Sequence, residues 1–235
     1  MYIIIICLLF TVILLKIGIN IKIKDIKKIK QIGFNKEIIE ITNKLPDNEQ
    51  ICKNVLEILN NTDVNIQKEE NSKTSLYMVM KNKIIIGNIK DSFARIQTIA
   101  HECIHSIQSK RILKFNFIFS NIYLIYFYIT LILIVFKIPK TIEQNYILLI
   151  VQILISIIYL VIRSYIELDA MIKAPYVTKK YLNSTDLNAK EKSIINKNYE
   201  ELNNIGIKSY IFILAAKCTI RTMFYNLIII VRTFI

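Results

Sequence analysis

The residues best suited to catalysis lie together in Ala100-His101-Glu102-Cys103-Ile104-His105, which contains the pattern H-E-x-x-H. In a helix, residues four positions apart lie one above the other on the same face. His101 and His105 are therefore spaced to bind one metal ion, while Glu102 can act on a water molecule beside it. The chain contains two histidines and both fall in this motif, which favours a metal site over a chance match.

The residues around the motif predict a helix over about residues 92–110, because apolar and polar positions repeat at helical spacing. The apolar face consists of Phe93, Ile96, Ala100, Cys103 and Ile107. A second face consists of Gln97, His101, His105 and Gln108. We expect Asp91 or Ser92 to cap the amino-terminal end of this helix, since both side chains can accept a hydrogen bond from a free backbone N–H.

The composition indicates a membrane protein, since 54% of the residues are hydrophobic and the mean hydropathy is +0.43. The net charge of +13 would usually suggest an anionic partner. However, the lysines cluster beside apolar segments, and the chain has neither an arginine-rich stripe nor a nucleic-acid-binding motif. We therefore predict a lipid bilayer as partner and no nucleic acid. The cysteines have no paired spacing, so they predict neither a disulfide framework nor a cysteine zinc site.

The first half of the chain divides into an apolar start and a soluble domain. Residues 1–21 predict an uncleaved membrane anchor. A cleaved signal peptide is the alternative, but positive charge before the apolar run and a small-residue cleavage site after it are both missing. Residues 22–114 begin with a lysine-rich stretch suited to the cytoplasmic leaflet.

Within 22–114, residues 47–59 predict an amphipathic helix, and residues 75–80 and 83–87 predict two strands around Lys81-Asn82. Helix, hairpin and H-E-x-x-H helix in this order are typical of a small zincin-like α+β domain. An edge strand just before the metal helix would suit strand addition by an extended peptide, with an ordinary structural hairpin as the alternative.

The second half of the chain predicts a multi-pass, mainly α membrane protein. Residues 115–162 form two apolar runs separated by Lys137-Ile138-Pro139-Lys140, which predicts a transmembrane hairpin. The lysine and arginine distribution places the hairpin tip outside and both hairpin ends in the cytoplasm. Residues 163–206 predict a partly helical cytoplasmic segment in which Pro175 bends or ends a helix. We expect residues 207–235 to span the membrane, although Lys217 and Arg221 lie inside this apolar segment and must face protein or the interface.

A third metal ligand must come from Asp, Glu or Cys, because a catalytic zinc ion normally takes three protein ligands. Glu167, in Tyr165-Ile166-Glu167-Leu168-Asp169-Ala170, is the first acid after the hairpin returns the chain to the side of the histidines. Asp169 is the competing candidate, and helical geometry allows only one of the two to face the metal. For the oxyanion formed during hydrolysis, the candidate donors are Tyr165, Tyr176 and Arg163.

The order of these features resembles the YugP-type neutral zinc metallopeptidases of bacterial membranes, and the resemblance covers most of the chain. It rests on the apolar start, on His101-Glu102-Cys103-Ile104-His105-Ser106-Ile107-Gln108, on the hairpin and on Glu167-Leu168-Asp169-Ala170. The chain is more distantly similar to membrane-embedded prenyl-protein endopeptidases. The resemblance implies that His101, His105 and Glu167 bind Zn²⁺, that Glu102 is the catalytic residue, and that Gln108 belongs to the family signature.

The expected function is therefore a membrane-bound zinc metalloendopeptidase of the bacterial plasma membrane, with Glu102 as general base. Its active site would lie at the cytoplasmic membrane face, and its substrates would be peptides or proteins, membrane-associated ones included. Two alternatives remain. An intramembrane protease is disfavoured by the charges around the motif helix, such as Asp91 and Arg95. A non-catalytic membrane or interaction protein with a vestigial metal site is the other.

Overall fold

The computed structural model of the chain describes residues 2–20, 22–33 and 35–234, which are mostly helical with one small sheet. The helices are α1 (Tyr2–Ile19), α2 (Ile23–Gly33), α3 (Lys36–Asn43), α4 (Asn48–Ile58), α5 (Arg95–Ile107), α6 (Lys110–Val135), α7 (Ile142–Asn183) and α8 (Ala189–Phe234). The strands are β1 (Asn65–Glu69), β2 (Leu76–Met78) and β3 (Lys83–Gly87).

The chain divides into two compact units. The apolar unit consists of residues 1–21, 115–165 and 208–235, and the polar unit of residues 22–114 and 166–207. Ile21 and Ile235, which end two of the predicted membrane segments, lie outside the described residues.

Within the described part of the chain, three helices, α6, α7 and α8, are long and apolar enough to cross a bilayer. They suggest a membrane protein, as the composition predicts. Helix α1 is also apolar. Its portion Leu8–Ile19 forms an apolar helix that is shorter than a membrane span. The role of α1 as an anchor stays a prediction.

Large side chains from α6, α7 and α8 pack together inside the apolar unit. The buried members of this cluster are Phe127, Ile134, Leu149, Tyr225 and Ile229. Two residues after the end of α6, Lys137 has a left-handed backbone (φ 56°). Lys137 N–H donates to Ile134 C=O, and Ile138 N–H donates to Leu133 C=O. These bonds satisfy the last carbonyl groups of the helix and produce the predicted break before α7.

Helix α7 runs without interruption for 42 residues and contains Pro175. The prediction that Pro175 bends or ends a helix is therefore wrong in one part, because no helix ends there. Proline removes one backbone hydrogen bond from a helix. Its neighbours Ala174 and Val177 are buried in the core of the polar unit. We infer that this packing compensates for the lost bond. The predicted turn is present just after Asn183, where α7 ends.

A three-stranded sheet with the order β1-β3-β2 lies in the polar unit. The predicted hairpin is confirmed, because β2 and β3 pair antiparallel around Asn82, a left-handed residue (φ 46°). Strand β1, which the sequence pattern did not reveal, pairs parallel to β3 on its other side. The strand just before the metal helix is therefore central, and β2 is the edge strand on the hairpin side.

The motif helix, α5, is shorter than predicted at both ends. It begins at Arg95, and neither Asp91 nor Ser92 caps it: the cap position is Ala94, without a side-chain hydrogen bond. The physical reason is a preceding turn, in which Ser92 C=O accepts from Arg95 N–H. At the other end Gln108 is extended (φ −67°, ψ 164°), which separates α5 from α6.

Most of the predicted apolar face of α5 is buried, with Ile96, Ala100 and Cys103 in the core of the polar unit. Ile107, which was predicted on the same face, is 46% exposed. Helix α4 is present as predicted, with Asp47 as its cap. These elements hold α5 against the sheet and leave the histidine face for the site.

Arg95 is buried, with 1% of its surface exposed, in the core that supports the motif helix. Its guanidinium donates to the backbone carbonyls of Thr42, Leu45 and Pro46 and to Asn48 Oδ1. These acceptors lie at the end of α3, in the link to α4 and at the first residue of α4. Arg95 thus supplies donors to the carbonyls of Leu45 and Pro46 and a second donor to Thr42 C=O, which also accepts from Leu45 N–H.

Candidate metal centre

His101, His105 and Glu167 lie together in the polar unit, and each offers one ligand atom within 4.8 Å of the others. The two histidines come from α5, one turn apart, and Glu167 comes from α7. The Nε2 atoms of the two rings are 3.1 Å apart. Glu167 Oε2 is 3.3 Å from His101 Nε2 and 3.8 Å from His105 Nε2.

These separations fit a divalent metal ion. Zinc bonds to histidine nitrogen and carboxylate oxygen are about 2.0–2.2 Å long, so tetrahedral ligand atoms are roughly 3.3–3.5 Å apart. The ring planes of His101 and His105 are nearly perpendicular, at 88°. His105 and Glu167 are buried, at 7% and 8% exposure, which limits competition from solvent. The three side chains could therefore hold a metal ion.

Gln108 fixes the orientation of the His105 ring. Its Oε1 lies 2.8 Å from His105 Nδ1, while its Nε2 donates to Ile166 C=O and to Asp169 Oδ2. Since both partners of Nε2 are acceptors, the amide orientation is determined and Oε1 faces the ring. An amide oxygen only accepts, so Nδ1 carries the proton and Nε2 presents its lone pair to the site.

Asp169, the competing candidate for third ligand, does not belong to the cluster. It accepts from Gln108 and pairs with Lys173 at 2.6 Å, one turn further along α7. Burial raises the pKa of Asp169, but the hydrogen bonds from Lys173 and Gln108 outweigh it and lower that pKa below its usual value. The structure thus places Glu167 beside the histidines and Asp169 behind Gln108.

The charge balance of the cluster favours a cation. Burial lowers the pKa of His105, but the hydrogen bond and negative charge of Glu167 outweigh it, so this pKa lies above its usual value. The raised pKa means that the environment stabilises positive charge on the ring. A divalent metal ion between the same atoms would supply that charge.

Glu102 lies in a protected position beside the histidines, with 9% of its surface exposed. Its Oε2 accepts from the backbone N–H of Tyr77 at 2.8 Å. Burial raises the pKa of Glu102, and the negative charge of Glu167 also raises it. The two histidines and the hydrogen bond from Tyr77 N–H lower this pKa, but burial outweighs them. A carboxylate with a raised pKa holds a proton more readily near neutral pH, as a general base must.

The assignment of Tyr165, Tyr176 and Arg163 as oxyanion donors stays a prediction. Tyr176 is 72% exposed and lies nine residues beyond Glu167, about 13 Å further along α7. Tyr165 and Arg163 belong to the apolar unit. The contact of Tyr77 with Glu102 had no signal in the sequence, because it uses a backbone group that every residue except proline has.

Comparison of the chain with protein-family models, with curated proteins and with solved structures finds no match.

Proposed function

We propose that the protein is a membrane-bound zinc metallopeptidase with a zincin-like catalytic domain. The observation that carries this proposal is the convergence of three ligand atoms, on His101, His105 and Glu167, beside the buried Glu102 carboxylate. Two imidazoles and one carboxylate are a known ligand set for catalytic zinc. The resemblance to YugP-type neutral zinc metallopeptidases supports the same assignment.

His101, His105 and Glu167 would hold the metal, and Gln108 would keep His105 in the tautomer that can bind it. Zinc held there would supply a Lewis acid, which polarises a peptide carbonyl and lowers the pKa of a water molecule to about 7. Glu102 would accept the proton of the attacking water and deliver it to the leaving amine. The hydrogen bond from Tyr77 N–H to its Oε2 would hold the carboxylate in place for this transfer.

The substrate that fits this site is a peptide in extended conformation. Strand β2 is at the edge of the sheet, and its Tyr77 N–H points away from β3 to Glu102. A peptide that lies along β2 would pass directly beside the carboxylate. The exposed side chains of Leu76 and Met80 along this edge would contact apolar side chains of the peptide.

We also propose a multi-pass topology in the bacterial plasma membrane, with the polar unit in the cytoplasm. The support is the lysine and arginine distribution, because Lys110, Arg111 and Lys114 lie in the first turns of α6 while the tip between α6 and α7 carries fewer cations. A reporter fused to the tip tests the orientation. Activity of a periplasmic reporter there agrees with it, and activity of a cytoplasmic reporter contradicts it.

The test of the peptidase proposal measures metal content and hydrolysis on the purified full-length chain. We expect about one zinc ion per chain, lost in Glu167→Gln because a neutral amide is a poor ligand. Glu102→Gln should retain the zinc and lose hydrolysis of a fluorogenic peptide library by at least about a hundredfold. Glu57→Gln, which changes an exposed carboxylate on α4, is the matched control and should change neither quantity.

Three results would contradict the proposal. Zinc binding unaffected by Glu167→Gln would remove Glu167 from the site. Stoichiometric zinc without hydrolysis would leave the non-catalytic alternative with a vestigial metal site. Hydrolysis retained by Glu102→Gln would remove Glu102 from the mechanism.

A further inference from the structure

Two positively charged residues lie in the middle of the apolar segment of α8. Arg221 is 13 residues after Lys208 and 11 before Arg232, so it is about 20 Å and 16 Å along the helix from the flanking charges. Lys217 lies one turn before Arg221, on the same side of the helix. A charge at this depth in a membrane-spanning helix is costly unless it faces protein, water or an opposite charge.

The partners of Arg221 within the apolar unit are neutral. Its guanidinium lies over the ring of Tyr123, 5.3 Å from the ring centre, and its side chain is half-buried. Tyr123 OH accepts from Ser156 Oγ at 3.4 Å, and Ser156 also contacts Gln152. Lys217 is exposed on the outer surface of α8. An aromatic ring and hydroxyl groups stabilise a guanidinium but do not neutralise it.

The apolar unit contains no acidic residue at this depth. Glu143 is the one Asp or Glu that the sequence places in segments 1–21, 115–165 and 208–235. It lies in the first turn of α7, 13 residues before Ser156 and therefore about 20 Å from it along the helix. A second copy of the chain would have the same deficit, so it could not supply the opposite charge either.

We propose that Lys217 and Arg221 form an intramembrane docking site for a membrane-spanning helix of another protein that carries Asp or Glu near its midpoint. Charge complementarity defines the partner, because a carboxylate at that depth needs a cation as much as these residues need an anion. The exposed side chains of Ile213, Ile220 and Phe224 continue the same surface of α8. They provide the apolar contacts that flank the charged pair.

The test reconstitutes the fluorescently labelled full-length chain in phosphatidylcholine vesicles with synthetic leucine-alanine helices. These peptides span the bilayer and differ at one central residue, which is Asp, Asn or Leu. Energy transfer at pH 8 should show the Asp peptide associating about fivefold or more tightly than the other two. Lys217→Gln and Arg221→Gln should each reduce this preference. Lys208→Gln, which removes an exposed cation at the end of the span, is the matched control and should retain it.

A charge reversal keeps the test decisive if Arg221→Gln does not fold. Lys217→Glu changes an exposed side chain and should abolish the preference for the Asp peptide, because the new carboxylate lies one turn from Arg221 and neutralises it within the chain. Equal association of the Asp, Asn and Leu peptides with the unaltered chain overturns the proposal. A second set of vesicles contains phosphatidylglycerol as well as phosphatidylcholine. Enrichment of phosphatidylglycerol there that depends on Lys217 and Arg221, without any preference for the Asp peptide, also overturns the proposal, because the pair would then bind lipid headgroups.

Discussion

The polar unit contains the buried Arg95 and the apolar unit contains the half-buried Arg221, and the two guanidinium groups differ in their contacts. Arg95, in the polar unit, donates to three backbone carbonyls and one side-chain oxygen. Arg221, in the apolar unit, lies over the ring of Tyr123. The first arginine joins the end of α3, the link after it and the first residue of α4 through these hydrogen bonds. The second is left with a net charge that its own unit does not balance.

The same contrast separates the histidine cluster from the polar groups of the apolar unit. Gln108 contacts three groups around His105, and its amide orientation follows from those contacts. Tyr123, Ser156 and Gln152 form a chain of weaker contacts between α6 and α7, up to 3.4 Å long. A buried polar group indicates a site when its neighbours determine its orientation and leave one lone pair that faces other ligand atoms, as His105 Nε2 does.

The largest expected effect is a difference in the free energy of unfolding between substitutions of the two arginines. Arg95→Met should lower the free energy of unfolding by about 3–5 kcal/mol, because it leaves buried carbonyls without donors. Arg221→Met should change it little, since the methionine suits an apolar environment. Denaturant unfolding of each full-length variant in detergent, followed by circular dichroism, measures both. Equal losses in the two variants would contradict the contrast.

Gln108→Leu should weaken zinc binding by about 10–100-fold, because it removes the acceptor that holds the proton on His105 Nδ1. Competition with a chromophoric chelator measures this affinity. Gln108→Glu retains the acceptor and should restore most of it, which a purely structural role would not predict. Gln67→Leu, on β1 in the same unit, is the control. A zinc affinity that is the same in Gln108→Leu and Gln67→Leu would exclude this role for Gln108.

A pair of glycines compares how tightly the two units are packed. A Cβ atom at Gly87 would lie 2.6 Å from Thr74 O and 2.8 Å from Ser72 O, both backbone atoms. Gly87→Ala should therefore lower the free energy of unfolding by about 1–3 kcal/mol. A Cβ atom at Gly18, in α1, meets nothing within 4 Å, so Gly18→Ala should be neutral or stabilising. Thermal unfolding measures both, and a larger loss at Gly18 would be contrary to this reasoning.

The smallest effect concerns the Asp47 cap of α4. The N–H of Gln50, and after it Lys68, lower the pKa of Asp47 below its ordinary value of 3.8. A lowered pKa stabilises the fold above the unfolded-state value and loses that contribution as the pH falls through the folded value. Asp47→Ala should cost about 0.5–1 kcal/mol near neutral pH, and less below about pH 3. Melting temperatures against pH measure this, with the capping but uncharged Asp47→Asn as control. A pH-independent difference between the unaltered chain and Asp47→Asn would refute it.

Much of the fold follows from local sequence pattern. Residues 47–59, the strands around Lys81-Asn82 and the motif helix all have clear periodicity, and each is present. Strand β1 has one strongly apolar residue, Ile66, in Asn65–Glu69, so its pairing with β3 could not be read from the sequence. The unbroken course of α7 through Pro175 depends on packing of Ala174 and Val177, which is also a tertiary effect.

The site was less predictable than the fold, because its third member is distant in the chain. The sequence left Glu167 and Asp169 open, and only the three-dimensional contacts separate them. Gln108 was visible as part of a family signature, but its contact with Ile166 C=O depends on how α5 and α7 meet. Tyr77 contributes a backbone N–H, which leaves no trace in residue identity.

The bond from Gln108 to Ile166 has a consequence for the minimal catalytic fragment. Residues 108 and 166 are neighbours in space although 57 residues separate them in the chain, among them most of the helical hairpin. A soluble fragment ending at residue 114 would carry both imidazoles but lack the carboxylate. Starting at residue 22, replacing 115–165 with a short helix-to-helix loop and stopping at residue 207 would instead keep the whole polar unit in one polypeptide without the apolar segments.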